Sequence, residues 1–339
     1  MIAAGEFLAE GVGRLQLSHP ERELCARLLE DLIGEEPRSA AVAGTAEEEL
    51  LSAVRGAALD DRLLLRAAHH LTARLPRRLV AALWDIRYTE ALAALVVSGA
   101  PNLGKFGPTP PRWGASSHES IAKADRWLLL LCAELGDPVT WGYLQEGALV
   151  NDLLPMADRV EEDGENGSRL PMTLHVDEAF ADERGDAFGL VCLRNDDRVP
   201  TRIAPLAAAD LDREDAEVLR ECRFVVEAHG DQRLRPILAG GPEAAVVRLD
   251  ASASRAAPGD TRAARALEAL LGELERVAVD VALKPGEVLL VDNHRCVHGR
   301  PGFRASFDGS DRWLRRLTVV RDLRPTSDRR GAGDLRVLR

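Results

Sequence analysis

The chain has 339 residues, 46% of them hydrophobic, enough for one large or two ordinary domains with a filled core. Its net charge of −11, with no basic stripe, argues against a nucleic-acid partner. Five cysteines (Cys25, Cys132, Cys192, Cys222 and Cys296) form an odd set without a CxxC spacing, which suggests neither a disulfide framework nor a structural zinc site and fits reduced thiols in a cytoplasm.

The opening "MIAAGEFLAEG" has no cationic stretch leading into an apolar run, so no signal peptide is expected. No apolar run approaches the ~20 residues of a membrane span. From there to about residue 90 the pattern is helical. "ERELCARLLEDLI" sets Leu24, Leu28, Leu29 and Leu32 at helical spacing, and "AEEELLSAVRGAAL" and "DDRLLLRAAHHLTARL" do likewise. His69 and His70 are adjacent on such a helix, point in different directions, and read as ordinary residues. "PNLGKFGPTPPRWGASS" (101–117) is a loop by its Pro and Gly content. "HESIAKADRWLLLLCAELG" predicts a helix closed by Gly136.

Short strand-like runs then dominate: "GALVNDLL", "MTLHVDEAF", "FGLVCLRN", "TRIAPL", "CRFVVEA", "AVVRLD", "GEVLLVDN" and "LRRLTVVR". Two helices interrupt them, one within 209–221 and one over about 262–279 with Thr261 as its N-cap. Residues 156–169 form a polar acidic loop. This order predicts a β sandwich or barrel with helical decoration.

Two stretches carry chemistry. In "LHVDEAF" His175 and Asp177 are two apart, so on a strand both point to one side. An imidazole and a carboxylate so placed suit a divalent first-row metal, although the pair alone is common by chance. In "VDNHRCVHGR" His294 and His298 share a face on a strand as well as on a helix, so spacing does not choose between them. A zinc reading of the pair needs a helix, and "VLLVDN" and "GRPG" on either side argue against one. The next strand carries Arg312, Arg315 and Arg316 among apolar residues. A buried arginine wants an anion, and a guanidinium grips a carboxylate through two hydrogen bonds. The alternative is a solvated strand edge.

The order H-x-D, then "DN-R--HGR", then an arginine strand resembles the Fe(II)/2-oxoglutarate oxygenases, over about residues 95–324. It is most similar to the clavaminate synthase-like branch, which includes bacterial hydroxylases of free arginine, asparagine and lysine. The resemblance implies a double-stranded β-helix (jelly-roll) core over 95–324, a helical part over 1–94 packed on it, and a polar tail over 325–339, together one catalytic domain. It implies Fe(II) held by His175, Asp177 and His298, with His294 accessory, and 2-oxoglutarate and O2 as co-substrates. Arg316 matches the arginine that pairs the far carboxylate of 2-oxoglutarate, with Arg312 in support and Thr201 at the same end. Gln145, Asp250 and Ser168 fall where the amino acid substrate is bound. Two departures stand out. Arginine-specific members have a second acid two residues beyond Asp250, where this sequence has Ser252. Many members have Glu where this sequence has Asp177, though its lysine hydroxylases use Asp. A carboxylate here also argues against halogenation. The expected activity is hydroxylation of a C–H bond on the side group of a free L-amino acid, basic or polar, in natural-product biosynthesis. A desaturase, an oxygenase of a carrier-tethered amino acid, a jelly-roll hydrolase or isomerase using another metal, and a non-catalytic ligand sensor are the alternatives. The sequence does not set the oligomeric state.

Overall fold

The computed structural model describes every residue except 1–4, 34–45, 55–56, 90, 117–118, 229–230, 242–243 and 332–333. The described part is mainly β with helices, in keeping with a jelly roll. The strand Trp313–Val320 runs antiparallel to Ala187–Arg194, which pairs with Val288–Asp292, which pairs with Ala94–Ser98. On its other edge Trp313–Val320 takes Val150–Leu153 and Asp137–Trp141. A second, antiparallel sheet has the order Val279–Val281, Thr201–Pro205, Cys296–Arg300, Met172–His175.

Strand parity sorts the side chains into layers. Leu95, Val97, Val191, Val288, Leu290, Leu317 and Val319 of the large sheet pack under the helices His19–Ile33, Arg62–Thr72, Arg77–Arg87 and Glu119–Cys132. Their neighbours Ala94, Val96, Leu190, Cys192, Leu289, Val291 and Leu314 meet Ile203, Val281 and Cys296 of the second sheet. Strands buried on both faces explain an unbroken apolar run such as Val288–Val291. On the far side of the second sheet, Leu174, Val176, Ala204 and Val297 pack with Val218, Leu267 and Leu270 from the helices Arg213–Leu219 and Thr261–Val277.

Three expectations are corrected. The N-terminal part is not helical throughout. A hairpin of Glu6–Ala9 and Val12–Gln16 extends the large sheet, with Val12–Gln16 parallel to Ala94–Ser98. Residues 325–339 are not a polar tail, because Asp334–Leu338 pairs in parallel with Asp137–Trp141 and Leu338 is buried beside Trp141. The N-cap of the helix Thr261–Val277 is Asp260, whose carboxylate accepts from the Ala263 N–H at 3.0 Å. Among the described residues no helix is long and apolar enough to cross a membrane.

Candidate active site

Leu174, Val176 and Val297 are drawn into the apolar layer outside the second sheet. Their neighbours His175, Asp177 and His298 therefore turn inward. His298 and His175 are register partners across the sheet. One potential ligand atom from each of His175, Asp177 and His298 lies within 4.8 Å of the others. Asp177 Oδ1 is 3.6 Å from His175 Nε2 and 3.3 Å from His298 Nε2. His175 Nδ1 lies 2.8 Å from the Thr173 carbonyl, so its proton sits there and Nε2 is left to bind. His298 is packed against Phe188, its ring 4.6 Å away. Its pKa falls to about 4, first through burial and then through the neighbouring His175. Burial opposes the Asp177 charge, but Arg316 and the two histidines outweigh it and hold the carboxyl well below its usual range. A neutral imidazole and an ionised carboxylate are the forms that ligate a divalent metal. Burial lowers the pKa of His175, but its pairing with Asp177 outweighs this and raises it, and a bound metal would displace that proton. Two imidazoles and a carboxylate are in any case the donor set that fits a metal of the Fe(II) class.

Asn293, the asparagine of the "DN-R--HGR" pattern, has no role assigned to it from sequence, yet it fixes the backbone of Asp177. Its side-chain oxygen accepts from the Asp177 N–H at 2.8 Å, and its amide donates to the Asp177 and Gly185 carbonyls at 3.0 and 2.9 Å. His294 belongs elsewhere. Its ring contacts Asp186 Oδ1 and Arg184 Nη2, each at 2.7 Å.

The arginines divide by parity. Arg315 turns to the helices and pairs with Asp125 at 2.7 Å and Asp152 at 2.7 Å. Arg312 and Arg316 turn inward. The Thr201 hydroxyl serves Arg312 and not Arg316, its oxygen accepting from Arg312 Nη2 at 3.0 Å. Among the described residues Arg312 has no carboxylate partner, and its Nε is unpaired. Its pKa falls to about 9, first through burial and then through Arg300. Arg316 pairs with Asp177 Oδ2 at 3.2 Å and with Glu165. Glu165 lies in the acidic loop, and no sequence signal separates it from its neighbours.

The remaining expected residues stand apart. Both ends of the Gln145 amide are used by the Asp152 backbone, at 2.8 and 2.9 Å. Ser168 is buried, and its carbonyl accepts from the Phe303 N–H at 2.7 Å and from Arg300 at 3.3 Å. Asp250 bridges to His175 through its backbone. Its Oδ1 caps the turn, taking the Ser252 N–H and hydroxyl at 2.9 and 2.6 Å. Glu178, beside Asp177, sits at φ 56° and accepts from the Tyr143 hydroxyl. Burial pushes its carboxyl up to about 7.

A cavity of about 30 Å³ is lined by Glu165, His175, Thr201, His298, Arg312 and Arg316, among others. A larger one, about 790 Å³, lies between Gly11, Pro205, Leu211 and Arg213 and includes none of these residues. Size favours the second cavity, and chemistry favours the first.

A family model described as taurine catabolism dioxygenase TauD, TfdA family matches residues 205–318. The protein is 34% identical over 298 residues to an enduracididine beta-hydroxylase of Streptomyces hygroscopicus, covering 78% of this protein and 87% of that one. It is 32% identical over 315 residues to an L-ornithine/L-arginine 3-hydroxylase of Catenulispora acidiphila, covering 83% and 92%. Among solved structures it is similar to the non-heme iron oxygenase OrfP in complex with Fe and alpha-ketoglutaric acid. The TM-score is 0.84 at 30% identity, covering 97% of this protein and 100% of that one. An asparagine oxygenase with Fe(II), 3-hydroxyasparagine and succinate gives a TM-score of 0.81 at 28% identity, covering 96% and 98%.

Proposed function

The protein belongs to the TauD and TfdA family of dioxygenases, and from that premise we propose that it is an Fe(II)/2-oxoglutarate-dependent hydroxylase of a free, basic or polar L-amino acid. The observation that carries this reading is the convergence of His175, Asp177 and His298 within 4.8 Å, beside a buried arginine that lacks an anion among the described residues. In this reading the two sheets are the halves of a double-stranded β-helix, and residues 1–94 buttress one catalytic domain.

His175, Asp177 and His298 hold the metal. With 2-oxoglutarate and O2, bound Fe(II) supplies the oxidising power to hydroxylate an unactivated C–H bond, with succinate and CO2 leaving. Arg312 takes the far carboxylate of 2-oxoglutarate, with Thr201 as its second donor. This revises the expectation that Arg316 fills that role, because Arg312 is the buried guanidinium still wanting a negative charge and Arg316 already has two. Arg316 then receives the α-carboxylate of the amino acid. Asp250 Oδ2 offers charge to the distal end of a basic side group. Gln145 and Ser168 do not line the cavity; in this reading they brace the backbone of Asp152 and of the acidic loop and touch no substrate. Leu153, Phe188 and Leu190 exclude water, so the fixed substrate presents one C–H to the metal. The named activities on enduracididine, ornithine and arginine support a basic substrate here.

The test is incubation with Fe(II), ascorbate, 2-oxoglutarate and a panel: arginine, ornithine, enduracididine, lysine, citrulline, asparagine and leucine. Mass spectrometry looks for one added oxygen and for succinate in step with it. Turnover confined to leucine, or product formed without 2-oxoglutarate, would sink the reading.

A further inference from the structure

Arg316 is 6% exposed and touches two carboxylates, those of Glu165 and Asp177. Asp177 is committed to the metal, so Glu165 is the partner that can leave. The backbone around Glu165 is held. The Asn166 carbonyl accepts from the Met156 N–H at 2.9 Å, and the Asn166 amide donates to the Leu154 carbonyl at 3.0 Å. Arg300 donates to the carbonyls of Gly167 and Ser168 at 3.2 and 3.3 Å. An added Cβ on Gly167 would lie 2.0 Å from the Glu162 carbonyl oxygen, so the loop is closely packed on itself. What can move is the Glu165 side chain, by rotation about its χ angles.

The cavity that Glu165, Arg312 and Arg316 line measures about 30 Å³, room for a water or two. An amino acid reaches Arg316 only by displacing the Glu165 carboxylate. A displaced carboxylate left unpaired there is costly. A zwitterion resolves this, because it brings a carboxylate for the arginine and an ammonium for the glutamate.

We propose that Glu165 is an exchange ligand: its carboxylate holds Arg316 until an amino acid arrives, then gives up the arginine and takes the α-ammonium. This rests on the reading of Arg316 as the α-carboxylate site. The exchange keeps every charge paired for a zwitterion and for nothing else. An acid without an ammonium, 2-oxoglutarate included, would strand Glu165, so the device directs 2-oxoglutarate to Arg312 and reserves Arg316 for the amino acid.

The experiment is calorimetric titration of wild type and Glu165→Gln, each loaded anaerobically with Fe(II) and 2-oxoglutarate. The probes are L-arginine and its (S)-2-hydroxy analogue, which has the same side group and carboxylate but no ammonium. In Glu165→Gln the hydroxy acid should bind several-fold more tightly than to wild type, because nothing charged must be displaced. The preference for L-arginine over the hydroxy acid should fall by about 10- to 100-fold, the worth of one charge-assisted hydrogen bond. An unchanged preference, or unchanged hydroxy-acid affinity, overturns the exchange. If wild type hydroxylates L-arginine alongside that result, the proposed function stands without it. Wild type that binds neither L-arginine nor any other amino acid of the panel overturns the role of Arg316 on which the exchange rests.

Discussion

Arg312, Arg315 and Arg316 fall within five consecutive positions and do three different things. Parity sends Arg315 outward, where two aspartates neutralise it, and Arg312 and Arg316 inward. That division is legible in the sequence. Which inward arginine lacks an anion is not, because their partners come from residues 165, 177 and 201, on other elements. Lysine cannot copy a bidentate guanidinium. Arg312→Lys should therefore raise the apparent KM for 2-oxoglutarate about tenfold or more with little change in that for the amino acid, and Arg316→Lys should do the reverse. Steady-state kinetics with each co-substrate varied checks this, and equal effects of both variants on 2-oxoglutarate would remove the distinction. The histidine pair behaves alike. His294→Ala should retain iron measured by metal analysis and lose about 1–2 kcal/mol of stability from the broken Asp186 contact. His298→Ala should lose iron and turnover. Comparable iron loss in both would refute the assignment.

At the scale of elements, the strand Trp313–Val320 is fastened to the helix Glu119–Cys132 by a buried ion cluster. Arg315 Nε and Nη2 donate to Asp125 at 2.8 and 2.7 Å, while Asp152 also accepts from the Trp313 indole at 2.7 Å. Removing one partner of a buried pair leaves charge uncompensated. Asp125→Asn should lower the free energy of unfolding by about 3 kcal/mol, read from the urea midpoint; a change within the noise would mean Asp152 suffices alone. The strands of the candidate metal site are legible because Leu174, Val176 and Val297, pointing to the apolar outer layer, alternate with His175, Asp177 and His298, although a register irregularity turns Met172 to the site as well. The final strand is not, since "DLRVL" is short, follows a Gly- and Arg-rich stretch, and draws its stability from docking against the sequence-distant Asp137–Trp141. That docking carries a pH signature. His69 first, and then Arg336 at 2.8 Å, hold Asp137 down to about 2 from its ordinary 3.8, against an opposing push from burial. A depressed carboxyl contributes stability that is complete above its unfolded pKa and is lost as the pH falls through the folded one. Wild type should accordingly exceed Asp137→Asn by about 1 kcal/mol near neutrality, Asp137 being only half-buried, and thermal melts should converge as the pH falls from about 4 to 2. A gap that persists at low pH would point to packing instead of charge.

Across the whole molecule, the site is where the two sheets meet. His175 and His298 belong to the second sheet, Arg312 and Arg316 to the strand Trp313–Val320 and its approach, and Thr201 reaches from the second sheet to Arg312. Metal and 2-oxoglutarate are thus ligands of the sandwich as a whole, and each that binds only the folded protein stabilises it by mass action. The gain is about 2.7 kcal/mol at a hundredfold excess over Kd. A redox-stable divalent stand-in such as Mn(II) should raise Tm by a few degrees in a protein of this length. 2-Oxoglutarate should add a second increment, and only after the metal, because in the proposed reading the ion and Arg312 together would hold it. Arg312→Met removes the guanidinium at similar volume, and so should keep the metal increment and lose the second. Differential scanning calorimetry of wild type and Arg312→Met, each alone, with Mn(II), and with Mn(II) and 2-oxoglutarate, separates the two. A 2-oxoglutarate increment that survives in Arg312→Met would place the far carboxylate on another residue, with Arg316 the first to be tried.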